Sequence, residues 1–236
     1  TGFEFQLDEY DYLDGVTGIE SISWIAVAGG THTLSNGSII QAGYTTATNE
    51  TATAISFNSA FSSTPVVFSQ LSSNNETDAA VTRHGSVTTT GFNVNMHEQE
   101  LNSVGHATED IGWIAIESGG STASGILAGT TADVVTESAT SVNFGGNFSG
   151  APVFIADMQR TDGADPATTA GDGSLSSSGA GVYIDEEESL DTEVTQDTTA
   201  DSIGNGLQAS PDDTANIWVN YAAMDNKLNV GGGIYY

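Results

Sequence analysis

Thr90-Gly91-Phe92-Asn93-Val94-Asn95-Met96, followed by Glu109-Asp110-Ile111-Gly112-Trp113-Ile114-Ala115-Ile116, is the stretch whose reading decides the fold. The first run alternates apolar and polar side chains, the period of a strand with one face on a core. The second is a core strand built around one Trp. Both recur. Thr1-Gly2-Phe3-Glu4-Phe5-Gln6-Leu7 and Glu20-Ser21-Ile22-Ser23-Trp24-Ile25-Ala26 repeat them 89 residues earlier, and Gly179-Ala180-Gly181-Val182-Tyr183-Ile184 opens a third pass 88 residues after Gly91. Phe57, Phe61-Ser62 and Pro65-Val66 return as Phe144, Phe148-Ser149 and Pro152-Val153, 87 residues on. Such repetition points to surfaces that bind or assemble rather than to one buried reaction centre.

Working outward, strand signals dominate. Pro65-Val66-Val67-Phe68 and Pro152-Val153-Phe154-Ile155 are continuously apolar, as buried sandwich strands are. Ala28-Gly29-Gly30-Thr31 and Ser118-Gly119-Gly120-Ser121 are turn chemistry. No window carries a helical stripe with caps, and the Thr, Val and Ile load favours sheet. The expectation is an all-β chain of tandem antiparallel β-sandwiches. Three segments are expected: 1–52, the second half of a unit plus a linker; 53–140, a complete unit plus a linker; and 141–236, a divergent unit with a C-terminal extension. The closing strand of that last unit is sought at Ala200-Asp201-Ser202-Ile203-Gly204 or at Ile217-Trp218-Val219. Trp24 and Trp113, inside Ile-rich strands, are expected in cores. An opening half-unit leaves strands that need partners from a preceding segment, from the C-terminal part, or from a neighbouring subunit.

Three Lys plus Arg stand against 31 Asp plus Glu, a net charge of −28. Such a surface repels nucleic acid and anionic membranes, so neither nucleic acid nor membrane insertion is expected. The acids are spread along the chain, which fits adaptation to concentrated salt. No Cys is present, which removes disulfides and thiolate chemistry. No long apolar run occurs, so a soluble chain is expected. The start without Met, in mid-repeat, suggests processing or a longer parent. Asn36, Asn49, Asn75 and Asn147 each open an N-glycosylation acceptor pattern, which together favour an exported protein.

The run Thr64-Pro65-Val66-Val67-Phe68-Ser69-Gln70, then Val81-Thr82-Arg83, Thr90 to Val94, Glu98-Gln99-Glu100 and Gly105-His106-Ala107-Thr108-Glu109 leading into Trp113-Ile114-Ala115, resembles the H-type lectin-like domain. The resemblance covers residues 53–117 best and 1–27 next. It weakens after 141, where Ala170 stands in the place of Arg83. It implies a small six-stranded antiparallel sandwich with a Trp-Ile-Ala closing strand. Family members that bind N-acetylgalactosamine do so at subunit interfaces of trimers.

Arg83, His84, His106 and Glu109 are the candidate glycan contacts. Each has a structural alternative: a strand-entry hydrogen-bonded pair for His106 and Glu109, and a carboxylate bridge for Arg83. Asp162 and Asp165 are loop candidates for calcium, the one cofactor considered; otherwise none is expected. Asp8-Glu9-Tyr10-Asp11, His97-Glu98-Gln99-Glu100 and Asp185-Glu186-Glu187-Glu188 share one repeat position, and alternation sends neighbouring acids to opposite faces. Trp218, Tyr221, Tyr235 and Tyr236 are candidate exposed aromatics. No serine elbow, zinc helix motif or phosphate loop occurs, so no enzyme is expected. The reading is an extracellular structural or adhesive protein of a halophile's surface or its virus: a fibre, spike or filament subunit that assembles as a homo-oligomer. The alternative is a lectin for cell-surface glycans.

Overall fold

The computed structural model describes residues 2–16, 18–48, 51–102, 105–132, 134–159, 165–189 and, by backbone alone, 219–224. The described residues form no α-helix. The described residues form fourteen strands. The first seven are β1 (Gly30–Thr33), β2 (Ile39–Ala47), β3 (Thr53–Ser56), β4 (Val66–Leu71), β5 (Ala80–Gly85), β6 (Gly91–Glu98) and β7 (Glu109–Ile116). The second seven are β8 (Gly119–Ser121), β9 (Ile126–Thr130), β10 (Thr140–Asn143), β11 (Val153–Met158), β12 (Ala167–Gly171), β13 (Gly179–Glu186) and β14 (Val219–Met224). The chain is all-β, as its alternation and β-branched content predict.

The two sets have the same topology. In the first, a four-stranded sheet β1-β2-β7-β4 faces a three-stranded sheet β3-β6-β5. In the second, β8-β9-β14-β11 faces β10-β13-β12, strand for strand equivalent. All pairings are antiparallel, so each unit is built from hairpin-like neighbours and returning strands. Strand pairing crosses both boundaries drawn from sequence. β2 pairs with β7 from Ile40↔Ile116 to Ala47↔Glu109, so residues ahead of 53 belong to the first sandwich. β9 pairs with β14 from Asn220↔Thr130 to Met224↔Ile126, so residues ahead of 141 belong to the second. Turn-rich, weakly alternating segments such as 30–47 read as linker from sequence, because only the ladder identifies their partner. The close of the second unit is β14, which begins at Val219; residues 200–204 and Trp218 lie outside the described residues.

Each sandwich has its own core. In the first, Phe57, Phe61, Phe92, Val94, Ile111 and Trp113 pack together, with Phe92 and Trp113 edge to face at 5.7 Å. In the second, Val142, Phe144, Phe148, Met158, Val182 and Ile184 do the same. A third core lies between the units. Ile40, Val66, Phe68 and Ile116 from the first four-stranded sheet meet Ile126 and Ala128 from the second, with Ile25, Val27 and Ile155 packed against them. The four-stranded sheets are therefore apolar on both faces. This is why Val66-Val67-Phe68 and Ile114-Ala115-Ile116 show no polar alternation: Val67 and Ala115 point into their own sandwich, and Val66, Phe68 and Ile116 into the shared core.

Ile116→Ala should lower the unfolding free energy by about 2–5 kcal/mol, the range for truncating a fully buried large aliphatic side chain. Because Ile116 serves the shared core, urea unfolding of the variant in concentrated KCl should shift for both sandwiches together. A shift confined to one of two resolved transitions would show that the units are not coupled through it.

Candidate functional site at the junction of the repeats

Hydrogen bonds between repeats follow the repeat length. The Asp11 N–H donates to Gln99 Oε1 at 2.8 Å across a separation of 88 residues. The Ser69 N–H donates to Asp157 Oδ2 at 2.9 Å, and Asn36 Nδ2 lies 3.5 Å from Ser124 Oγ, each again 88 apart. The Glu188 N–H donates to the Tyr12 hydroxyl at 3.1 Å across 176 residues, twice that length. The partners in each pair lie within about one residue of equivalent places, so the same part of one copy meets the same part of another. The first repeat segment bonds to both the second and the third at one repeat position, so three segments meet around one point rather than in a row. Ile25 and Val27, Ile114 and Ile116, and Ile155 bring the same three segments into the shared core.

The polar end of this junction is built by loops that leave β6 and β13. The Gln99 N–H donates to the Ala79 carbonyl at 2.9 Å, and the Glu187 N–H to the Pro166 carbonyl at 2.8 Å, so both residues are turned inward in the same way. Tyr10 and Tyr12 stack at 6.0 Å beside them. Gln99, Asp165 and Glu187 are buried. Glu187 Oε1 accepts the Ser189 N–H at 3.0 Å. Glu187 Oε2, Asp165 Oδ2, Gln99 Nε2 and the Tyr10 hydroxyl have no hydrogen-bond partner among the described residues. Burial, then the Glu187 and Asp185 charges, push the Tyr10 hydroxyl well above its ordinary range, with Arg83 opposing. The phenol stays neutral, and the seam presents donors and acceptors together.

Arg83, from β5, reaches the same junction. Its Nη2 donates to the Asp165 backbone carbonyl, so the guanidinium ties the first unit to the second through a main-chain oxygen. His84, its neighbour, turns the other way and is buried beside Phe92. His84 Nδ1 lies 3.1 Å from Ser69 Oγ and 3.7 Å from Asp157 Oδ2 of the second unit. Burial lowers the His84 pKa to about 4, which keeps the ring neutral. Burial raises the Asp157 pKa to about 7, against the Ser69 and Met158 amides that favour its charged form.

His106 and Glu109 form a separate site at the entry to β7. The Asn75 and Glu76 N–H groups donate to Glu109 Oε1 at 2.6 and 3.3 Å, and the Ser73 hydroxyl donates to Oε2. The carboxylate thus gathers the loop between β4 and β5. His106 Nδ1 and Nε2 each lie 3.0 Å from a carbonyl oxygen, of Ala107 and Asp78. Two acceptors require both ring nitrogens to carry protons. Burial works to lower the His106 pKa, but these carbonyls, with Glu109 and Glu76, hold it above its ordinary value. Glu109 Oε1 is 3.8 Å from His106 Nδ1.

The four glycan candidates therefore fall into two groups. Arg83 and His84 stand on the seam between units, and His106 and Glu109 anchor a loop. Asp165 lies at the seam, whereas Asp162 lies outside the described residues. Among the described residues no group of three or more His, Asp or Glu is placed to hold a metal ion. Asn36, Asn75 and Asn147 are exposed, and Asn75 Nδ2 donates to the Thr108 carbonyl at 2.8 Å; Asn49 lies outside the described residues. Trp113 is in the core as expected, but Trp24 is exposed: residues 18–27 form no strand ladder, and no described segment buries the ring. Trp218, Tyr235 and Tyr236 lie outside the described residues, as does the side chain of Tyr221. Residue-type reasoning missed Ser69, Asp157, Tyr10 and Tyr12. The available signal was position in the repeat: Tyr10, Gln99 and Glu187 hold one place in it, 89 and 88 residues apart.

Residues 33–116 match the family described as "Putative tail fiber protein gp53-like, C-terminal". Halomucin of Haloquadratum walsbyi is 32% identical over 194 residues, a span that is 79% of this chain and 2% of that protein. This chain is thus similar to a small part of a far longer one. No solved structure gives a significant match. No helix among the described residues is long and apolar enough to cross a membrane.

The seam pair should give an internal pH compensation. His84 is neutral in the fold and titrates near 6.5 when unfolded, so it makes stability fall as pH drops from 6.5 toward 4. Asp157 holds its proton up to about 7 against 3.8 unfolded, so it makes stability fall as pH rises across that span. The two slopes oppose. Asp157→Asn should leave the His84 slope alone, with stability climbing from pH 4 to 6.5 relative to the parent. His84→Gln should leave the opposite slope. Urea midpoints at constant high ionic strength, taken as differences from the parent, check both.

Proposed function

We propose that the chain is a non-enzymatic extracellular structural protein, a unit of an assembly displayed on a cell or particle surface in concentrated salt. The single observation that carries this reading is the shared core. Each four-stranded sheet gives a second apolar face to joining repeats, which is the arrangement of a building element. The tail-fibre match over 33–116 and the likeness to halomucin support a fibrous or surface setting. The net charge of −28 supports the saline one. Oligomeric assembly belongs to the same reading, because sandwiches that expose apolar sheet faces associate.

A second reading, a lectin for surface glycans, is favoured by one feature. The repeat junction gathers buried donors and acceptors from three segments: the Tyr10 hydroxyl, Gln99 Nε2, Asp165 Oδ2 and Glu187 Oε2. Sugar hydroxyls both give and take hydrogen bonds and suit such a mixture. The H-type lectin-like resemblance points the same way. Calcium at the Asp165 loop and N-glycosylation at Asn36, Asn75 or Asn147 remain proposals within this setting.

A glycan array probed in molar KCl separates the two. The structural reading expects no binding that a free sugar competes away. A competed signal that Glu187→Gln abolishes would replace it with the lectin. The saline setting has its own check. Screening shortens from about 10 Å at 0.1 M to about 3 Å at 1 M salt, so the thermal midpoint should rise steeply between those concentrations. A flat response would remove the halophilic premise.

A further inference from the structure

Residues 2–16 and 18–27 carry the sequence of a closing half-unit, form no strand ladder, and leave one set of apolar side chains uncovered. Phe3, Phe5, Ile22 and Trp24 repeat residues that are buried in the first unit. Phe3 is 59% exposed where Phe92 is 3%, and Phe5 is 47% exposed where Val94 is 0%. Ile22 is 42% exposed where Ile111 is 0%, and Trp24 is 59% exposed where Trp113 is 8%. The other face of the same segment is satisfied: Ile25 and Val27 pack on the shared core as Ile114 and Ile116 do. The exposed face is also organised. Phe3 and Trp24 meet edge to face at 5.3 Å and 69°, and Phe92 and Trp113 at 5.7 Å and 74°. In the complete unit a further ring of this cluster, Phe57, comes from the first half of the repeat, 5.7 Å from Phe92 and 6.0 Å from Trp113.

A glycine records the missing strand. A Cβ on Gly91 would sit 2.1 Å from the Ile55 carbonyl oxygen of β3, and one on Gly179 2.7 Å from the Val142 carbonyl oxygen of β10. Only glycine admits that backbone approach. Gly2 holds the same position, yet nothing lies within 4 Å of where its Cβ would be.

We propose that the Phe3, Phe5, Ile22 and Trp24 face is a docking surface for the first-half strands of a preceding repeat in a tandem array, the equivalents of β1 to β5. Those strands would complete a third sandwich around the junction. Occupancy in cis follows the order of both complete units, where the first half runs directly into the second through a short connection, from Gly85 to Gly91 in the first unit. The similarity to a small part of a much longer protein is consistent with such an array. The assignment builds on the tandem-unit reading above. Its failure would leave the shared core, and the glycan result, untouched.

The test places a copy of residues 28–89 directly ahead of Thr1, which restores the register of the Thr90 repeat. Acrylamide quenching of Trp24, obtained as the difference between each protein and its Trp24→Phe variant, is read in the 236-residue chain and in the extended chain. Trp24 should be readily quenched in the first and several-fold better protected in the second. Trp24→Ala should lower the urea midpoint of the extended chain only, and Phe5→Asp should return Trp24 to the quencher there. The proposal is overturned if the added strands stay protease-sensitive while Trp24 remains open. It is also overturned if Trp24 is already protected in dilute 236-residue chain, which would mean closure by its own C-terminal part. Protection that grows with concentration alongside dimer formation would assign the face to a second copy instead.

Discussion

The structure depends on one constraint: the four-stranded sheets carry apolar side chains on both faces where they meet. A sheet in a two-layer sandwich ordinarily turns alternate side chains to water, and the pattern of its strands shows it. Through Val66-Val67-Phe68 of β4 and Ile114-Ala115-Ile116 of β7 both sets of side chains are apolar, so a single sandwich would leave an oily surface exposed. Burial against a second such sheet removes it, at roughly 25 cal/mol for each Å² withdrawn from water. Ile40, Val66, Phe68 and Ile116 on one side and Ile126 and Ala128 on the other meet that need. The repeats are therefore held together by the hydrophobic effect, which salt strengthens. Charge pairing, which salt weakens, has little part.

The acidity of the chain shapes the rest. Of its three Lys and Arg, only Arg83 falls among the described residues. Several inward-turned carboxylates are accordingly held mainly by backbone amides and hydroxyls. Glu109 takes the Asn75 and Glu76 amides, Asp157 the Ser69 and Met158 amides, and Glu117 the Ile39 amide. Apart from the Met158 amide, which is next to Asp157 in the chain, each such bond ties segments distant in sequence, so acids that would only repel one another on a surface become fasteners when turned inward. Arg83 follows the same economy by binding a carbonyl, leaving the Asp165 carboxylate to the seam. The axis between repeats is thus apolar at one end and polar at the other. The polar end is where recognition chemistry could develop.

Much of this was legible. Alternation in Phe92 to Met96, the Trp-centred run at 111–116 and their recurrence were enough for an all-β tandem sandwich. The repeat foreshadowed that the Phe3 to Leu7 and Ile22 to Val27 runs need a partner, but Trp24, expected in a core, is exposed. The boundaries were not legible. Residues 30–47 hold β1 and β2, which carry Gly, Ser, Asn and Thr and match no strong template, yet the ladder with β7 makes them integral. The two His-containing candidates were visible as rare residues. Their types gave no hint that His84 faces Asp157 across a unit boundary while His106 sits between two carbonyls.

By itself, then, the sequence determined strand identity, repeat length and the acid surface, because periodicity and composition are local properties that any alignment of the chain with itself exposes. Only the tertiary structure decided which face of each sheet meets another repeat, that three segments share one axis, and that Gln99, Asp165 and Glu187 converge on a buried seam. The reason is physical. A strand's pattern states how many of its faces are buried, but the partner that buries each one is chosen by packing between segments 88 residues apart, and no local run of side chains encodes that choice.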